Sequence, residues 1–202
     1  MNISDIKRMG IIFPVYDRIG DQVAYIRPVN NVGMIIPYVD KIVKSRNEMR
    51  ESFYFQGLVT PESTMKYFRS IIYDDHDRVQ FVLNFCGNPV GNYGLHYCGE
   101  RLFELDNALN WTGVKGMFGY FDRLLYDIAF TLLGAKVVQA KVLSSNEKVI
   151  KWHEKGGMRN VSVRPMILDK VFKRYRETDE GEIPNTPMTV TVMEIRKEWW
   201  KK

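Results

Sequence analysis

The chain has 202 residues, 29 Lys plus Arg against 24 Asp plus Glu, a formal charge of +5, and 45% hydrophobic residues. That length suits one domain with at most an appendage, and the apolar content excludes a disordered or collagen-like chain. No run approaches the roughly 20 apolar residues of a membrane helix, the first ten residues carry Asp5, Lys7 and Arg8 and no apolar stretch of a secretory signal, and Cys86 and Cys98 alone build neither a disulfide framework nor a zinc site.

The chain therefore reads as soluble and cytoplasmic, with residues 1–21 an N-terminal appendage to a single domain over 22–202. Residues 23–28 alternate as a short strand stopped by Pro28. Residues 32–55 follow a helical pattern interrupted at Pro37. Thr60, Pro61 and Glu62 start a helix that runs to about Tyr73: a capping hydroxyl, a proline at the first helical position and an acid in the first turn. The period then changes to two over 78–86 and 90–98, joined by Gly87, Asn88 and Pro89, which is a hairpin signal. In that hairpin Cys86 and Cys98 lie at opposite ends, too far apart to bridge, and suit small apolar fillers. Residues 102–109 form a third strand. Residues 113–119 are a glycine-bearing loop that opens an amphipathic helix, with Met117, Phe121, Leu124, Leu125, Ile128 and Leu132 on one face and Gly134 at its end. A strand over 136–143 follows, then a short helix over 146–155 closed by Gly156 and Gly157. Residues 170–182 are a charged loop or hairpin extension, and 188–196 a last strand. The order predicts a mixed α/β (α+β) sheet, not an alternating doubly wound one.

The most informative chemistry lies where a strand enters Gly113, Val114, Lys115 and Gly116 and then a helix. Unpaired N–H groups and the helix dipole at such a junction favour a phosphate or pyrophosphate; a plain strand-to-helix turn would use the same glycines. The segment is neither a Walker loop nor a GxGxxG fingerprint. His76 and His96 lie in different elements without matching carboxylates, so no metal is expected. Phe53, Tyr54 and Phe55 either line a cleft or pack in the core. The basic run Lys170, Lys173, Arg174 and Arg176 is diluted by Glu177, Asp179, Glu180 and Glu182, so a nucleic-acid partner is not favoured. Trp199 and Trp200 suit packing at the end of the last strand.

The strand acids Glu104 and Asp106, the loop from Gly113 to Phe118, Ala129 with Phe130, Leu133 with Gly134, and Asn146, Glu154, Lys155 and Gly157 stand in an order that resembles the GCN5-related N-acetyltransferases (GNAT). Within them the pattern is similar to the RimJ/RimL-like branch of ribosomal-protein N-terminal acetyltransferases, over about residues 22–160 and the last strand. The resemblance implies a mostly antiparallel central sheet flanked by helices, its fourth and fifth strands splayed around acetyl-CoA. Backbone of Asn107, Ala108 and Leu109 would pair with the pantetheine. Gly113, Val114, Lys115, Gly116, Met117, Phe118 and Gly119 would cradle the pyrophosphate, with Asn146 near the cofactor. A neutral primary amine, on a protein N-terminus, a lysine or a small molecule, would attack the thioester directly. Glu104 or Asp106, depending on which face each lines, would take its proton, and His153 would protonate the leaving thiolate. A homodimer is compatible with this class, and no membrane or metal is implied. Gly113 stands where Arg or Gln is usual and Phe118 where Gly or Ala is usual. These two positions motivate the alternative of a catalytically degenerate GNAT-fold binding or structural protein.

Overall fold

A computed structural model describes residues 1–17, 19–113 and 118–200, with the side chain of Phe118 excepted. The chain begins with helix α1 (Ile3–Met9), capped by Asn2 in a reciprocal box with Asp5 and stopped by Gly10 at φ 61°. An edge strand β1 (Phe13–Tyr16) pairs with β2 (Gln22–Pro28). Pro14 is tolerated in β1 because an edge strand leaves one side of its ladder unpaired. These residues, read from the sequence as an appendage, contribute Ile3, Ile6, Phe13 and Val15 to the main core.

Two short 3₁₀ turns, the second carrying Pro37 in its first turn, lead into helix α2 (Val39–Glu48). Helix α3 (Pro61–Arg69) starts as expected: Thr60 accepts from the Ser63 N–H while the Ser63 hydroxyl accepts from the Thr60 N–H. It continues as one π turn over Ser70–Asp74. Strands β3 (Arg78–Phe85) and β4 (Asn88–Tyr97) form the hairpin. The turn sits on Cys86 and Gly87, both at positive φ (48° and 75°), earlier than the glycine-asparagine-proline reading placed it. Positive φ at both central residues gives a hairpin turn whose twist matches the strands. Both cysteines are free and exposed, so they are not the apolar fillers expected.

Strand β5 (Leu102–Asn110) is followed by helix α4 (Phe118–Asp127), a π turn over Ile128–Leu132 and Gly134 at φ 71°. Then come β6 (Val137–Leu143), helix α5 (Glu147–Lys155), the hairpin β7 (Arg159–Asp169) and β8 (Arg174–Glu177), and β9 (Thr189–Arg196). The nine strands form one sheet in the order β1-β2-β3-β4-β5-β6-β9-β7-β8. Every neighbouring pair is antiparallel except β5 with β6, and that parallel ladder extends only from Leu102–Val137 to Glu104–Gln139.

The reason is local to β5. Gly94 faces Asp106 and Asn92 faces Leu109, so Asn107 and Ala108 share the place opposite Tyr93, and Asn107 takes φ 49°. This is a β-bulge, which bends its strand and increases its twist. Beyond Glu104 β5 therefore parts from β6, and a wedge opens between them. Helices α4 and α5 pack with α1 on the main core through Phe121, Leu125, Tyr126 and Trp152. A second cluster of Ile35, Ile42, Phe68, Val82, Leu109 and Trp111 anchors α2 and α3 on the same sheet. Trp200 packs against Tyr126 and donates its indole N–H to Asp127 at 3.0 Å, and the guanidinium groups of Arg159 and Arg196 lie 4.3 and 5.4 Å from the centre of the Trp199 ring. Among the described residues no helix is long and apolar enough to cross a membrane.

Candidate active site

A continuous cavity of about 1040 Å³ runs from the β5–β6 wedge to the underside of α2 and α3. Glu104, Asp106, Asn107, Ala108, Leu109, Asn146 and His153, seven of the residues proposed from sequence, line it. Glu104 and Asp106 are two positions apart on one strand and so share a face. Which face each lines therefore does not separate them; their partners do.

Asp106 is fully engaged. Its Oδ2 accepts from Gln80 Nε2 at 3.0 Å and Tyr67 OH at 3.4 Å, and lies 3.5 Å from Arg78 Nε; its Oδ1 accepts from Asn107 Nδ2 at 3.0 Å. Burial still raises its pKa, the charge of Arg78 opposing the rise. Glu104 is held more loosely, 3.8 Å from the ammonium of Lys141, which itself bonds Glu177 at 2.6 Å. Burial raises the pKa of Glu104 as well, with Lys141 pulling the other way. A carboxyl whose charged form is disfavoured is a stronger base than a solvated one once ionised.

Behind Asp106 a buried polar chain crosses the sheet. Gln80 Oε1 accepts from Asn92 Nδ2 at 2.9 Å, the same amide reaches the carbonyl of Asn107 at 2.8 Å, and Trp111 Nε1 donates to Asn92 Oδ1 at 3.0 Å. It ties the bulge to β3 and β4. Gly94 leaves the room it needs, because a Cβ there would stand 2.3 Å from Gln80 Nε2. The sequence signal for this network is polar residues, Gln80 and Asn92, at strand positions that are otherwise apolar.

His153 is 3% exposed. Its Nδ1 pairs at 3.1 Å with Asp122, a fully buried carboxylate that also accepts from Tyr93 OH at 2.8 Å. Nothing in the spacing of residues 122 and 153 announced that pair. Asn146 occupies the N-cap position of α5 but makes no side-chain cap bond. Gly113, at φ 72°, spends its N–H on Asn110 Oδ1 at 2.9 Å, and neither it nor Gly119, in the first turn of α4, lines the cavity. Val114, Lys115, Gly116, Met117 and the side chain of Phe118 lie outside the described residues. The opposite wall holds Phe53, Tyr54 and Phe55, which the sequence offered as either cleft or core residues and which line the cavity, the Tyr54 hydroxyl being buried without a partner; beside them stand Arg46 of α2 and Tyr67 of α3, which the sequence did not single out. Burial and the nearby Glu104 and Glu177 push the Tyr54 hydroxyl pKa up, so it stays protonated and a donor. Among the described residues no group of His, Cys, Asp and Glu could hold a metal ion.

No protein-family model matches the chain, and no curated protein matches it in sequence. Solved structures do. Mycobacterium smegmatis RimJ, in complex with a CoA disulfide, superposes with a TM-score of 0.71 over 95% of this chain and 89% of that one, at 13% identity. RimL, a ribosomal L7/L12 α-N-protein acetyltransferase in complex with coenzyme A, gives 0.66 over 92% and 98%, at 11% identity. The Vibrio cholerae spermidine N-acetyltransferase in complex with CoA and spermine gives 0.63 over 86% and 95%, at 17% identity. The chain has the GNAT fold, and its overall form resembles the RimJ/RimL-like members of that fold.

Proposed function

We propose that the protein is an N-acetyltransferase that moves an acetyl group from acetyl-CoA to a primary amine. The observation that carries this reading is the wedge between β5 and β6, opened by the bulge at Asn107, with Glu104 and Asp106 in the cavity it leads into. The cavity suits the narrow thiol end of coenzyme A at the wedge and an acceptor beneath α2 and α3. Structural neighbours solved with CoA support the donor. Backbone of Asn107, Ala108 and Leu109, parted from β6, is free of that neighbour to meet the pantetheine amides. Lys148, exposed in the first turn of α5 and lining the cavity, and Asn146 would meet the donor side.

The thioester supplies an acyl carbonyl, and the protein supplies positions for protons. The ammonium of the acceptor must lose a proton before its nitrogen can attack. Glu104, with its raised pKa and a single loose partner, takes that proton directly or through water; Asp106, spent on Arg78, Gln80, Tyr67 and Asn107, holds the bulge in place. As the new C–N bond forms and the C–S bond breaks, the nitrogen releases its second proton to solvent and the thiolate needs one. His153 is assigned that role: with Nδ1 committed to Asp122, its Nε2 is the nitrogen left to donate.

The test is calorimetric titration of acetyl-CoA, followed by thiol-release assays over a panel of amines. Micromolar binding that Ala108→Trp abolishes, with turnover of at least one amine, is the expected result. Absence of binding, or binding indifferent to Ala108→Trp, refutes it.

A further inference from the structure

The acceptor end of the cavity carries unspent positive charge. Its two acids are already matched, Asp106 by Arg78 and Glu104 by Lys141. Arg46 and Arg174 line the same cavity, and among the described residues no carboxylate comes within ion-pair distance of either.

Arg46 is held for use. Its Nη2 donates to the carbonyl of Phe55 at 2.8 Å and its guanidinium lies 3.7 Å over the ring of Phe53. These contacts fix the plane of the fork and leave Nη1 buried with no partner. Burial without a carboxylate pulls the pKa of Arg46 down to about 10, so at neutral pH it remains a cation placed where water solvates it poorly. Arg174 reaches the same place from the far end of the chain. Phe55 and Arg174 form an antiparallel β-bridge, flanked by Gln56 N–H to Lys173 O and Tyr175 N–H to Tyr54 O, both 2.7 Å. The unpartnered Tyr54 hydroxyl, from the same stretch, is a third donor lining the cavity.

A fixed guanidinium fork with an empty donor is a receptor for a planar or tetrahedral oxyanion. A polyamine would instead bring further positive charge against Arg46 and Arg174. We propose that the acceptor is a primary amine that also carries a carboxylate or phosphate group, with Arg46 and Arg174 holding the anion and Glu104 facing the amine. This rests on the acetyltransferase reading above for the role of the amine, while the anion site itself rests on Arg46 and Arg174 alone.

The experiment compares matched probes by calorimetry without acetyl-CoA: glucosamine with its 6-phosphate, ethanolamine with phosphoethanolamine, β-alaninamide with β-alanine, and spermidine. The anion-bearing member of at least one pair should bind about tenfold tighter than its anion-free twin, equivalent to about 1.4 kcal/mol. The phosphate pairs and the carboxylate pair distinguish the two sources of the anion. Arg46→Gln should abolish the preference. Because Arg46 also fixes the Phe53–Phe55 stretch, the exposed Arg174→Gln is the second variant and should reduce the preference about threefold or more. Equal affinities within every pair, tighter binding of spermidine, or a preference unchanged in both variants overturns the proposal. Acetyl-CoA is titrated into the same preparation. No acetyl-CoA binding with the anion preference intact strikes the acetyltransferase reading alone; acetyl-CoA binding without the preference strikes the acceptor class alone.

Discussion

The two acids of β5 illustrate how alike residues are separated by what they touch. Glu104→Gln keeps the size and removes the base, and we expect kcat to fall by about 10²- to 10⁴-fold with acetyl-CoA affinity retained. Because burial raises the pKa of Glu104, the wild-type rate should climb as pH rises through a value above that of an ordinary glutamate, and that limb should vanish from the Glu104→Gln profile. The same shift has a stability sign. A carboxyl with a raised folded pKa contributes stability that is full below its unfolded value and lost as pH rises through the folded one. The wild type should therefore lose stability relative to Glu104→Gln between acid and neutral pH, read from urea midpoints at the two ends. Gly94→Ala should destabilise by about 1–3 kcal/mol in urea unfolding, because its Cβ would stand 2.7 Å from the carbonyl of Val79 as well as against Gln80. Of these features, the sequence made the strand acids legible, since acids in an apolar alternation stand out. The partners that decide between them, Gln80, Arg78 and Tyr67, come from other elements and leave no local trace.

At the scale of elements, strong periods and caps were legible and weak ones were not. The Thr60 cap, the β3–β4 hairpin and the α4 face all follow from short-range chemistry. Strand β7 was missed because most of its side chains are exposed, leaving no core-facing alternation. Strand β1 is four residues long with a proline in it, and α1, though capped at both ends, spans only seven. The bulge on β5 was implied only by resemblance, as splayed strands, although Asn is among the residues that most readily take positive φ. Its conformation gives a direct prediction. Asn107→Gly keeps the left-handed backbone available, whereas Asn107→Val places a β-branched residue there at a cost of about 1–2 kcal/mol. Valine should therefore weaken acetyl-CoA binding by calorimetry far more than glycine does, even though glycine removes the same side-chain bonds to Asp106 and Tyr67.

For the whole molecule, element order together with the motif residues from Glu104 to Gly157 was enough to reach the fold, and these cover the β5–β6 side of the cavity. The opposite side was legible only in part: the aromatic run 53–55 stood out as cleft or core, but its union with α2 and the β7–β8 hairpin did not, because segments more than a hundred residues apart in sequence are joined there by backbone bonds with no side-chain signature. A ligand that binds only the folded chain stabilises it, by about 2.7 kcal/mol at a hundred times its Kd. Acetyl-CoA at that excess should raise the unfolding midpoint accordingly, and Ala108→Trp should lose the gain.

The single parallel ladder has a consequence for how the molecule breathes. From β1 to β5 and from β6 to β8 the sheet is two antiparallel halves, and among the described residues they are joined by the short ladder from Leu102 to Glu104, extended by the Lys136 and Val137 N–H groups donating to the Arg101 carbonyl. Past Glu104 the amides of β5 that face β6 have no strand to shield them. Exchange with deuterium should therefore be fast there and slow at Leu102, Phe103 and Glu104. Adding acetyl-CoA should slow it at Asn107, Ala108 and Leu109 while leaving the ladder residues as they were: the donor would act as the rungs that the sheet itself omits.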